Sequence, residues 1–359
     1  MTAKRVLVAR SGGVDSSVVA ALLVEQGYEV IGCTMQVWDY SQSNCEIEEG
    51  NGTCCSSIDV DDARAVADHL QIPFYVLNCE EKFQEFVIDD FVDSYLHGKT
   101  PIPCVNCNTY LKFDHLLRKS KKLNGDYLAT CHYAKVVWKN DKPTIMTSED
   151  GWKDQTYFLF TLAPELLSRI MFPIGEWEKP KVREYAESIG LPVARKKDST
   201  GICFIGKKGY KGFIEEHVEA SQFRPGLLRE WSTGKILGHH NGIHNFTYGQ
   251  RKALGVPSKV PLYVVKIDSD NHTVWLGGER DLYQSEFRFK AENWLDEFHA
   301  DEVLRVKIRF QHQGAEARIV KENDEVYRVN FLEPQRAITP GQAAVIYRDK
   351  QLVGGGWIQ

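Results

Sequence analysis

Apolar residues in the first half of the chain follow two alternating patterns. Short apolar runs predict β-strands at KRVLVAR, YEVIGCTMQVW, PFYVLN and DYLAT. Between them, apolar residues at helical spacing predict helices at DSSVVAALLVEQG, IDVDDARAVADHL, EEKFQEFVIDDFVDSYLHG and TYLKFDHLLRKSKK. Strands that alternate with helices are typical of a parallel sheet with helices on both faces. The pattern therefore predicts a doubly wound, Rossmann-like α/β fold.

The pattern changes from about residue 211, where Gly, His and Asn become frequent and short strands such as LYVVKID and HTVWLGG follow. The last segment holds the alternating runs VLRVKIRF, EARIVKEN, VYRVNFLE, QAAVIYRD and QLVGGGWI, separated by turns. Such runs predict a small antiparallel β-barrel. We therefore expect an α/β domain at residues 1–210, a small central domain at 211–283 and a C-terminal barrel at 284–359.

Composition narrows the class of protein. No run approaches the roughly 20 apolar residues that cross a bilayer, and the N-terminus leads directly into a glycine loop, so we predict a cytoplasmic protein. Nine cysteines, an odd number, argue against a complete disulfide framework. Any one of them is most simply a small buried hydrophobic residue.

The formal net charge of −5 does not indicate a nucleic-acid binder, but local charge is different. Residues 118–122 (RKSKK) form one basic cluster. Residues 193–211 hold a single acid, Asp198, against six basic residues: Arg195, Lys196, Lys197, Lys207, Lys208 and Lys211. Either cluster is explained by a solvated helix face or by a patch that meets phosphates, and both explanations stay open.

The strongest local motif is SGGVDSS at residues 11–17, between the first strand and the first helix. Its two glycines let the backbone approach a phosphate group, and amides at a helix N-terminus favour an anion. Asp15 can hold Mg²⁺ or cap the helix. No G-x-x-x-x-G-K-[ST] run occurs in the chain, so the loop lacks the lysine of a Walker motif. The alternative is an ordinary glycine turn with a helix cap.

Two cysteine settings indicate thiol chemistry. Cys107, in TPIPCVNCN, comes just before a predicted helix, whose N-terminal field favours a thiolate. The prolines predict irregular backbone there. Cys203 lies in a glycine-flanked segment beside basic residues. Two activated cysteines can transfer sulfur, one as a persulfide and the other by forming a disulfide that releases it. A zinc site at Cys104 and Cys107, or an iron–sulfur cluster on Cys104, Cys107 and Cys203, are alternatives.

Five motifs in order carry a resemblance to a known family. SGGVDSS alone resembles the loop of the PP-loop ATP pyrophosphatase superfamily, which cleaves ATP between its α- and β-phosphates. Together with TPIPCVNCN, ATCHYAK, KDQTYFL and KKDSTGICFIG, and with TPGQAAVIY and GGGWI near the C-terminus, it resembles the tRNA-specific 2-thiouridylases over essentially the whole chain.

The resemblance implies an ATP- and Mg²⁺-dependent sulfurtransferase that thiolates C2 of the wobble uridine in tRNAs for Lys, Glu and Gln. It implies that Cys107 is the nucleophile, that Cys203 receives a persulfide from a sulfur-relay protein, and that the two form a transient disulfide. The implied ATP-binding residues are Ala9, Arg10, Ser11, Gly12, Gly13, Val14, Asp15, Ser16, Met35 and Cys131. The implied contacts of the target base are Ile102, Pro103 and Cys104. The implied tRNA contacts are His132, Lys153, Asp154, Gln155, Arg309, Phe310 and Gln342.

Simpler explanations compete with some of these roles. Met35 could be plain core, His132 a satisfied polar residue at a strand end, and residues 153–155 a surface turn. Arg309 and Phe310 are expected to alternate along a barrel strand. Two functional alternatives also remain: a PP-loop ligase or amidotransferase acting on a metabolite, and a non-catalytic RNA-binding protein.

The chain departs from the family pattern at three places. Ile102 and Cys104 stand where the family often has Asn and Asp, which puts a proton-transfer role at the second position in doubt. Cys131 stands at the usual glycine of the ATGHY-type motif. Cys45, Cys54 and Cys55 lie in an acidic loop and are assigned no function.

Overall fold

The structure, a computed structural model, describes residues 3–38, 57–198 and 201–359. The chain divides into two compact units. The first unit contains the described residues up to Val87 together with Cys104–Gly206 and Lys350–Leu352. The second unit contains Ile88–Pro103, Lys207–Asp349 and Val353–Gln359. Cys45, Cys54 and Cys55, which were assigned no function, lie outside the described residues.

The β-strands of the described chain are, in order, β1 (Arg5–Ala9), β2 (Glu29–Gln36), β3 (Phe74–Asn78), β4 (Tyr127–Ala129), β5 (Ala134–Lys139), β6 (Lys142–Thr147), β7 (Ile170–Met171), β8 (Gly226–Glu230), β9 (Ile236–His240), β10 (Tyr263–Asp268), β11 (Thr273–Gly277), β12 (Tyr283–Trp294), β13 (Leu304–Lys307), β14 (Ala315–Lys321), β15 (Val326–Arg336), β16 (Ala343–Arg348) and β17 (Gln351–Ile358).

The α-helices are α1 (Val14–Glu25), α2 (Ser57–His69), α3 (Glu80–Phe83), α4 (Asp89–Leu96), α5 (Pro103–Asn106), α6 (Leu116–Lys122), α7 (Lys179–Ser188) and α8 (Gly209–His217). Two π-helical segments, Gln84–Ile88 and Cys107–His115, continue α3 and α5. Short 3₁₀ turns are Thr156–Phe158, Pro164–Arg169, Ala220–Gln222, Ile243–Asn245 and Glu279–Leu282. In the part of the chain that the structure describes, no helix is long and apolar enough to cross a membrane.

The first unit is built on a five-stranded parallel sheet in the order β3-β2-β1-β4-β7. Val8 of β1 lies opposite Gly32 on one side and Ala129 on the other. Val6, Val18 and Leu23 are fully buried in its core. The predicted doubly wound α/β fold is confirmed. Because the strand order reverses between β1 and β4, the carboxyl ends of these strands border the place where such folds bind ligands.

The first unit also contains an antiparallel hairpin of β5 and β6, in which Ala134 lies opposite Thr147. Gln351, at the start of β17, adds to this hairpin beside Met146. Neither hairpin strand was predicted from the sequence. The hairpin leads from the carboxyl end of β4 to the segment at residues 148–155, so it positions residues that the sequence assigned to tRNA.

The second unit contains a mixed sheet and a barrel. The mixed sheet has the order β10-β11-β8-β9, with β11 and β8 parallel and the outer pairs antiparallel. The barrel has the order β12-β15-β14-β13-β16-β17 and closes through antiparallel pairing of β12 with β17. Phe289, Val306 and Val329 fill its core. The predicted antiparallel barrel is confirmed, although β12 was missing from the prediction.

The helix that carries the cysteine pair begins earlier than predicted. Irregular backbone was expected at residues 100–108, but α5 begins at Pro103 and continues through the π-helical segment into α6. Proline at the first helical position is favourable, because its missing N–H has no helical partner there and its φ angle is already helical. Cys104 therefore lies in the first turn, and Cys107, predicted just before the helix, lies within it.

Candidate nucleotide and sulfur-transfer site

The loop at residues 11–17 joins the carboxyl end of β1 to the start of α1, as predicted for a phosphate loop. Gly12 has a φ of +68°, and a Cβ placed there would lie 2.2 Å from the backbone oxygen of Asp59. Only glycine fits this position, because both the backbone angle and the space exclude a side chain. Gly13 precedes the first helical residue in extended conformation. The amides of the first turn of α1 are therefore directed at the loop.

Serine hydroxyls hold the loop in shape. The Ser16 hydroxyl donates to the Gly13 carbonyl at 3.1 Å and accepts from the Ser11 amide at 3.3 Å. The Ser17 hydroxyl donates to the same Gly13 carbonyl at 2.9 Å. These local bonds satisfy hydroxyl groups within the loop and fix its backbone.

The other predicted nucleotide residues lie at the ends of neighbouring strands. Met35 is the penultimate residue of β2 and is buried, which also satisfies its interpretation as plain core. Cys131 follows β4 and packs, half-buried, against the core of the parallel sheet. Ala9 ends β1. The sheet topology thus brings Ala9, Met35 and Cys131 to one edge.

Arg10, the residue before the loop, is buried. Its side chain donates from Nη2 to the Ser17 hydroxyl at 3.2 Å, and the residue is only 4% exposed. Among the described residues, no hydrogen-bond partner is present for its Nε and Nη1. Burial lowers the pKa of its guanidinium to about 10. Arg10 is therefore a buried cation beside the loop, bonded to the Ser17 hydroxyl.

Asp15 does not cap its helix; it accepts a hydrogen bond and forms an ion pair. Lys179 donates from Nζ to both carboxylate oxygens, at 2.6 and 2.7 Å. The Tyr133 hydroxyl donates to Oδ1 at 3.0 Å, and burial, together with Asp15, raises the pKa of Tyr133. Mg²⁺ keeps several waters and is bound through one or two carboxylates plus substrate phosphates, so the Asp15 carboxylate fits that cation.

Lys179 was missed by the sequence analysis. It is the first residue of α7, and its position 164 residues after Asp15 leaves no local spacing to detect. The sequence did contain one signal, namely a phosphate loop without its own lysine. Which of the 44 lysines and arginines would compensate was not visible in any motif.

Asp198 joins several basic side chains near the same place. Its carboxylate lies 2.8 Å from Lys179 Nζ and accepts from Lys153 Nζ at 2.7 Å and from Arg183 Nη2 at 2.6 Å. Burial acts to raise the pKa of Asp198, but the hydrogen bonds from Lys153 and Lys179 outweigh it and lower the pKa to about 2. Asp198 therefore stays charged, and it lies five residues before Cys203 in the chain.

Lys196, one residue of the predicted basic cluster at 193–211, also contacts the phosphate loop. Lys196 Nζ donates to the Gly12 carbonyl at 3.2 Å and to Asp59 Oδ1 at 2.7 Å, and it also pairs with Asp62. Burial opposes its charge, but the hydrogen bonds of the two carboxylates raise its pKa. Lys196 thus holds α2 against the phosphate loop and is not part of an open surface patch.

The structure brings the segments of Cys107 and Cys203 to the same helical region. The ring of Phe204, adjacent to Cys203, packs edge-on against Phe83 of α3, with centroids 5.7 Å apart. The helix α3 also contacts the π-helical segment that begins at Cys107. In the next turns, Phe86 stacks on Tyr110 with centroids 4.7 Å apart. Cys107 and Cys203 are half-buried, whereas Cys104 is exposed.

Cys33 and Cys79 are buried, and the cysteines were also considered as metal ligands. Burial raises the pKa of Cys33 to about 12 and that of Cys79 to about 11, so both behave as buried hydrophobic residues. Over residues 3–38, 57–198 and 201–359, no group of three or more His, Cys, Asp and Glu side chains is arranged to hold a metal ion. Neither the zinc site nor the three-cysteine cluster gains support from the described geometry.

Of the residues assigned to the target base, Ile102 and Pro103 belong to the second unit and Cys104 to the first. Ile102 and Pro103 are buried. The Thr100 amide donates to the Pro340 carbonyl at 2.9 Å, and Gln342 donates from Nε2 to the Thr100 carbonyl at 2.9 Å. Gln342, predicted to contact tRNA, therefore has a structural bond that fixes the approach to α5.

The predicted tRNA contacts in the first unit are bound to their own chain. His132 is buried, shares a 2.7 Å hydrogen bond with Thr130, and has a pKa lowered well below its usual value by burial. Asp154 is buried and accepts from the Ser148 amide at 2.8 Å. Gln155 accepts from the Tyr133 amide at 3.0 Å. Lys153, as described, pairs with Asp198.

The predicted contacts in the barrel differ. Arg309 and Phe310 are exposed, and they lie in a turn, because β13 ends at Lys307. Their expected alternation along a strand is therefore wrong. Arg309 donates from Nη1 to the Arg336 carbonyl at 3.1 Å, which anchors the turn while leaving both side chains on the surface.

Comparison with known proteins gives the class first. Residues 4–207 match the model of a tRNA methyl transferase HUP domain, residues 211–278 a tRNA methyl transferase PRC-barrel domain, and residues 284–358 an aminomethyltransferase beta-barrel domain. These matches, with the parallel sheet and its glycine loop, define a tRNA-modifying protein built on a HUP domain.

Full-length relatives give the family. The chain is 45% identical over 358 residues to the tRNA-specific 2-thiouridylase MnmA of Geobacter metallireducens, covering 99% of this chain and 96% of that one. It is 46% identical over 358 residues to the MnmA of Clostridium beijerinckii, covering 99% of each. The chain belongs to the tRNA-specific 2-thiouridylase (MnmA) family. The predicted class of enzyme, a tRNA sulfurtransferase, is thereby confirmed.

Proposed function

We propose that the chain uses ATP to activate the C2 carbonyl oxygen of the wobble uridine in tRNAs for Lys, Glu and Gln, and replaces that oxygen with sulfur. The uridine oxygen attacks the α-phosphorus of ATP, which forms the adenylated base and releases pyrophosphate. Residues 9–16, Met35 and Cys131 are the proposed nucleotide contacts. Their placement at the carboxyl edge of the parallel sheet supports this assignment.

Sulfur reaches C2 from a persulfide on Cys203, loaded by a sulfur-relay protein. The terminal sulfur attacks C2 and expels AMP, while the Cys107 thiolate attacks Cys203 Sγ and breaks its bond to the transferred sulfur. The sulfur is reduced and the two cysteines are oxidised to a disulfide, so a dithiol reductant must restore them before the next turnover. Such a cycle fits a reducing cytoplasm.

One observation carries this mechanism: Cys203 and Cys107 belong to segments that both pack on α3. The contact of Phe204 with Phe83, and the contact of α3 with the helix of Cys107, support a meeting of the two thiols. Asp198, which precedes the Cys203 segment, is also tied through Lys179 to Asp15 of the phosphate loop. Adenylation and sulfur delivery are thereby assigned to neighbouring parts of the first unit.

The test uses the full chain with ATP, Mg²⁺, a persulfide-carrying sulfur donor and unmodified tRNA, followed by digestion of the RNA and detection of 2-thiouridine by mass. Cys107→Ser and Cys203→Ser should each abolish thiolation supported by a persulfide donor and leave tRNA affinity nearly unchanged. Full activity of Cys107→Ser would contradict the two-cysteine mechanism.

Cys104→Ser separates the persulfide mechanism from the iron–sulfur alternative. The persulfide cycle does not use Cys104, so this variant should retain thiolation. If Cys104→Ser were as inactive as the other two variants, and activity required iron and sulfide, the cluster mechanism would replace the one proposed. A dependence of ATP–pyrophosphate exchange on an amino acid instead of RNA would favour a PP-loop ligase.

A further inference from the structure

The phosphate loop has a charge problem that its own residues do not solve. The phosphates of a nucleotide carry several negative charges, yet residues 11–17 contain no cation and one acid, Asp15. Amides and hydroxyls can bind phosphate oxygens, but charge-assisted bonds from lysine or arginine are about twice as strong. Arg10, the adjacent cation, is buried and donates to the Ser17 hydroxyl. A cation from another part of the chain would therefore strengthen phosphate binding at this loop.

Lys179 is placed to supply it. Its ammonium group lies within 2.7 Å of both oxygens of Asp15, which is in the first turn of α1, where the loop amides would receive phosphates. The side chain of Lys179 is only 10% exposed, so packing directs the ammonium group to this place. Its backbone amide donates to Asp150 at 3.0 Å, which fixes the start of α7.

Lys196, the other lysine at the loop, is placed differently. It contacts the Gly12 carbonyl, which is a hydrogen-bond acceptor, and it is held by two carboxylates on α2. Both carboxylates belong to a helix outside the loop, so the ammonium group of Lys196 is committed to the contact between α2 and the Gly12 carbonyl. Lys196 stabilises the loop. Lys179 instead contacts Asp15, the acidic residue of the loop, which lies where a bound nucleotide and its Mg²⁺ are proposed to bind.

We propose that Lys179 is a phosphate-binding catalytic residue, which replaces the lysine missing from the loop. Without nucleotide, Asp15 and Asp198 neutralise its ammonium group. With nucleotide, the ammonium group exchanges its bonds to Asp15 for bonds to phosphate oxygens and keeps its ion pair with Asp198. This inference rests on the proposed use of ATP by the same loop.

The experiment compares two ligands on the full chain. Affinities for a non-hydrolysable ATP analogue with Mg²⁺, and for adenosine, are measured by calorimetry for the wild type, Lys179→Met and Lys181→Met. Lys181 is the matched control: it is on the same helix, and its ammonium group lies 4.3 Å from the Trp177 ring centroid rather than at the loop. Lys179→Met loses the charge-assisted bonds and should therefore bind the analogue at least about tenfold more weakly than the wild type. Adenosine binding should stay within about twofold.

Lys179→Arg, which keeps the charge, should recover most of the affinity for the analogue. Because Lys179→Met leaves Asp15 and Asp198 without their shared cation, the double variant Lys179→Met with Asp198→Asn provides a second test if the single variant unfolds. Wild-type affinity of Lys179→Met, or of the double variant, for the analogue would overturn the inference, as would equal losses for analogue and adenosine. A wild-type chain that makes 2-thiouridine while Lys179→Met binds the analogue normally defeats this inference alone. A wild-type chain that binds no ATP defeats the proposed function as well.

Discussion

The phosphate loop of the first unit and the turn at residues 309–310 of the second unit were both assigned to ligands by their sequence, yet they are built in opposite ways. At the loop, Gly12 leaves no room for a side chain and Asp15 is bound by Lys179 and Tyr133. At the turn, Arg309 and Phe310 are exposed. The loop residues that are proposed to bind nucleotide also pack within their unit. The side chains of the turn are exposed. Substitutions should therefore change the architecture at the loop, whereas Phe310→Ala should change affinity alone at the turn.

The largest effect is expected for Gly12→Ala. The new Cβ would collide with the Asp59 backbone at 2.2 Å, and the residue would be forced to keep a φ of +68°. The loop must move, so binding of the ATP analogue should fall below detection, which calorimetry on the folded variant would establish.

Gly27→Ala is the control for Gly12→Ala. Gly27 also has a positive φ, +81°, but a Cβ there meets nothing within 4 Å. It should cost only the backbone strain, about 1 kcal/mol, and leave nucleotide binding intact. Equal behaviour of the two alanine variants would show that the contact with Asp59 does not shape the loop.

An intermediate effect is expected for Asp154→Ala. Asp154 is buried and accepts hydrogen bonds from the Ser148 amide and the Thr156 hydroxyl, at 2.8 and 2.6 Å. Unsatisfied partners should lower the free energy of unfolding by about 2–3 kcal/mol, measured by urea denaturation. Glu149→Ala, which removes a surface ion pair with Lys135, is the control and should lower the free energy of unfolding much less. If Asp154→Ala kept full stability but lost tRNA affinity, its role would be direct contact with RNA.

The smallest effect is expected at the exposed turn. Phe310→Ala should weaken tRNA binding about tenfold, because one base would no longer stack on an aromatic ring. The free energy of unfolding should not change. Arg309→Ala should reduce the salt dependence of tRNA binding by about one unit of slope. Leu332→Ala, at another exposed apolar residue of the barrel, is the control and should change neither quantity. Equal losses at Phe310 and Leu332 would exclude a specific stacking site.

Elements with strong periodicity were predictable, and those fixed by distant partners were not. The strands β1 to β4 and β13 to β17 were recognised because each has its own apolar pattern. The strand β7 has two residues, and β12 begins with four exposed residues before Phe287 and Phe289 alternate inward, so neither was predicted. Pro103 was taken to break regular structure, whereas its place at a helix start makes it favourable.

The site shows the same division. The loop and the cysteine motifs were found because they are contiguous in sequence. No local pattern encodes contacts between residues far apart in the chain. The ion pairs of Lys179, Asp59 and Asp198 are such contacts. The individual roles of the nucleotide, base and tRNA residues, and the boundaries at residues 210 and 283, stay predictions.

The path of the chain has a consequence for how the protein can be divided. Residues Ile88–Pro103 belong to the second unit, where Phe91 packs on Phe213 and Tyr95 stacks on Tyr210. Conversely, Lys350–Leu352 belong to the first unit. A fragment that stops at residue 210 would lose most of the packing around α4 and the bond that Gln342 makes to Thr100, directly ahead of the cysteine helix. Because each unit is built from three separate chain segments, no single cut separates them, and point substitutions in the intact polypeptide are the better way to isolate the chemistry.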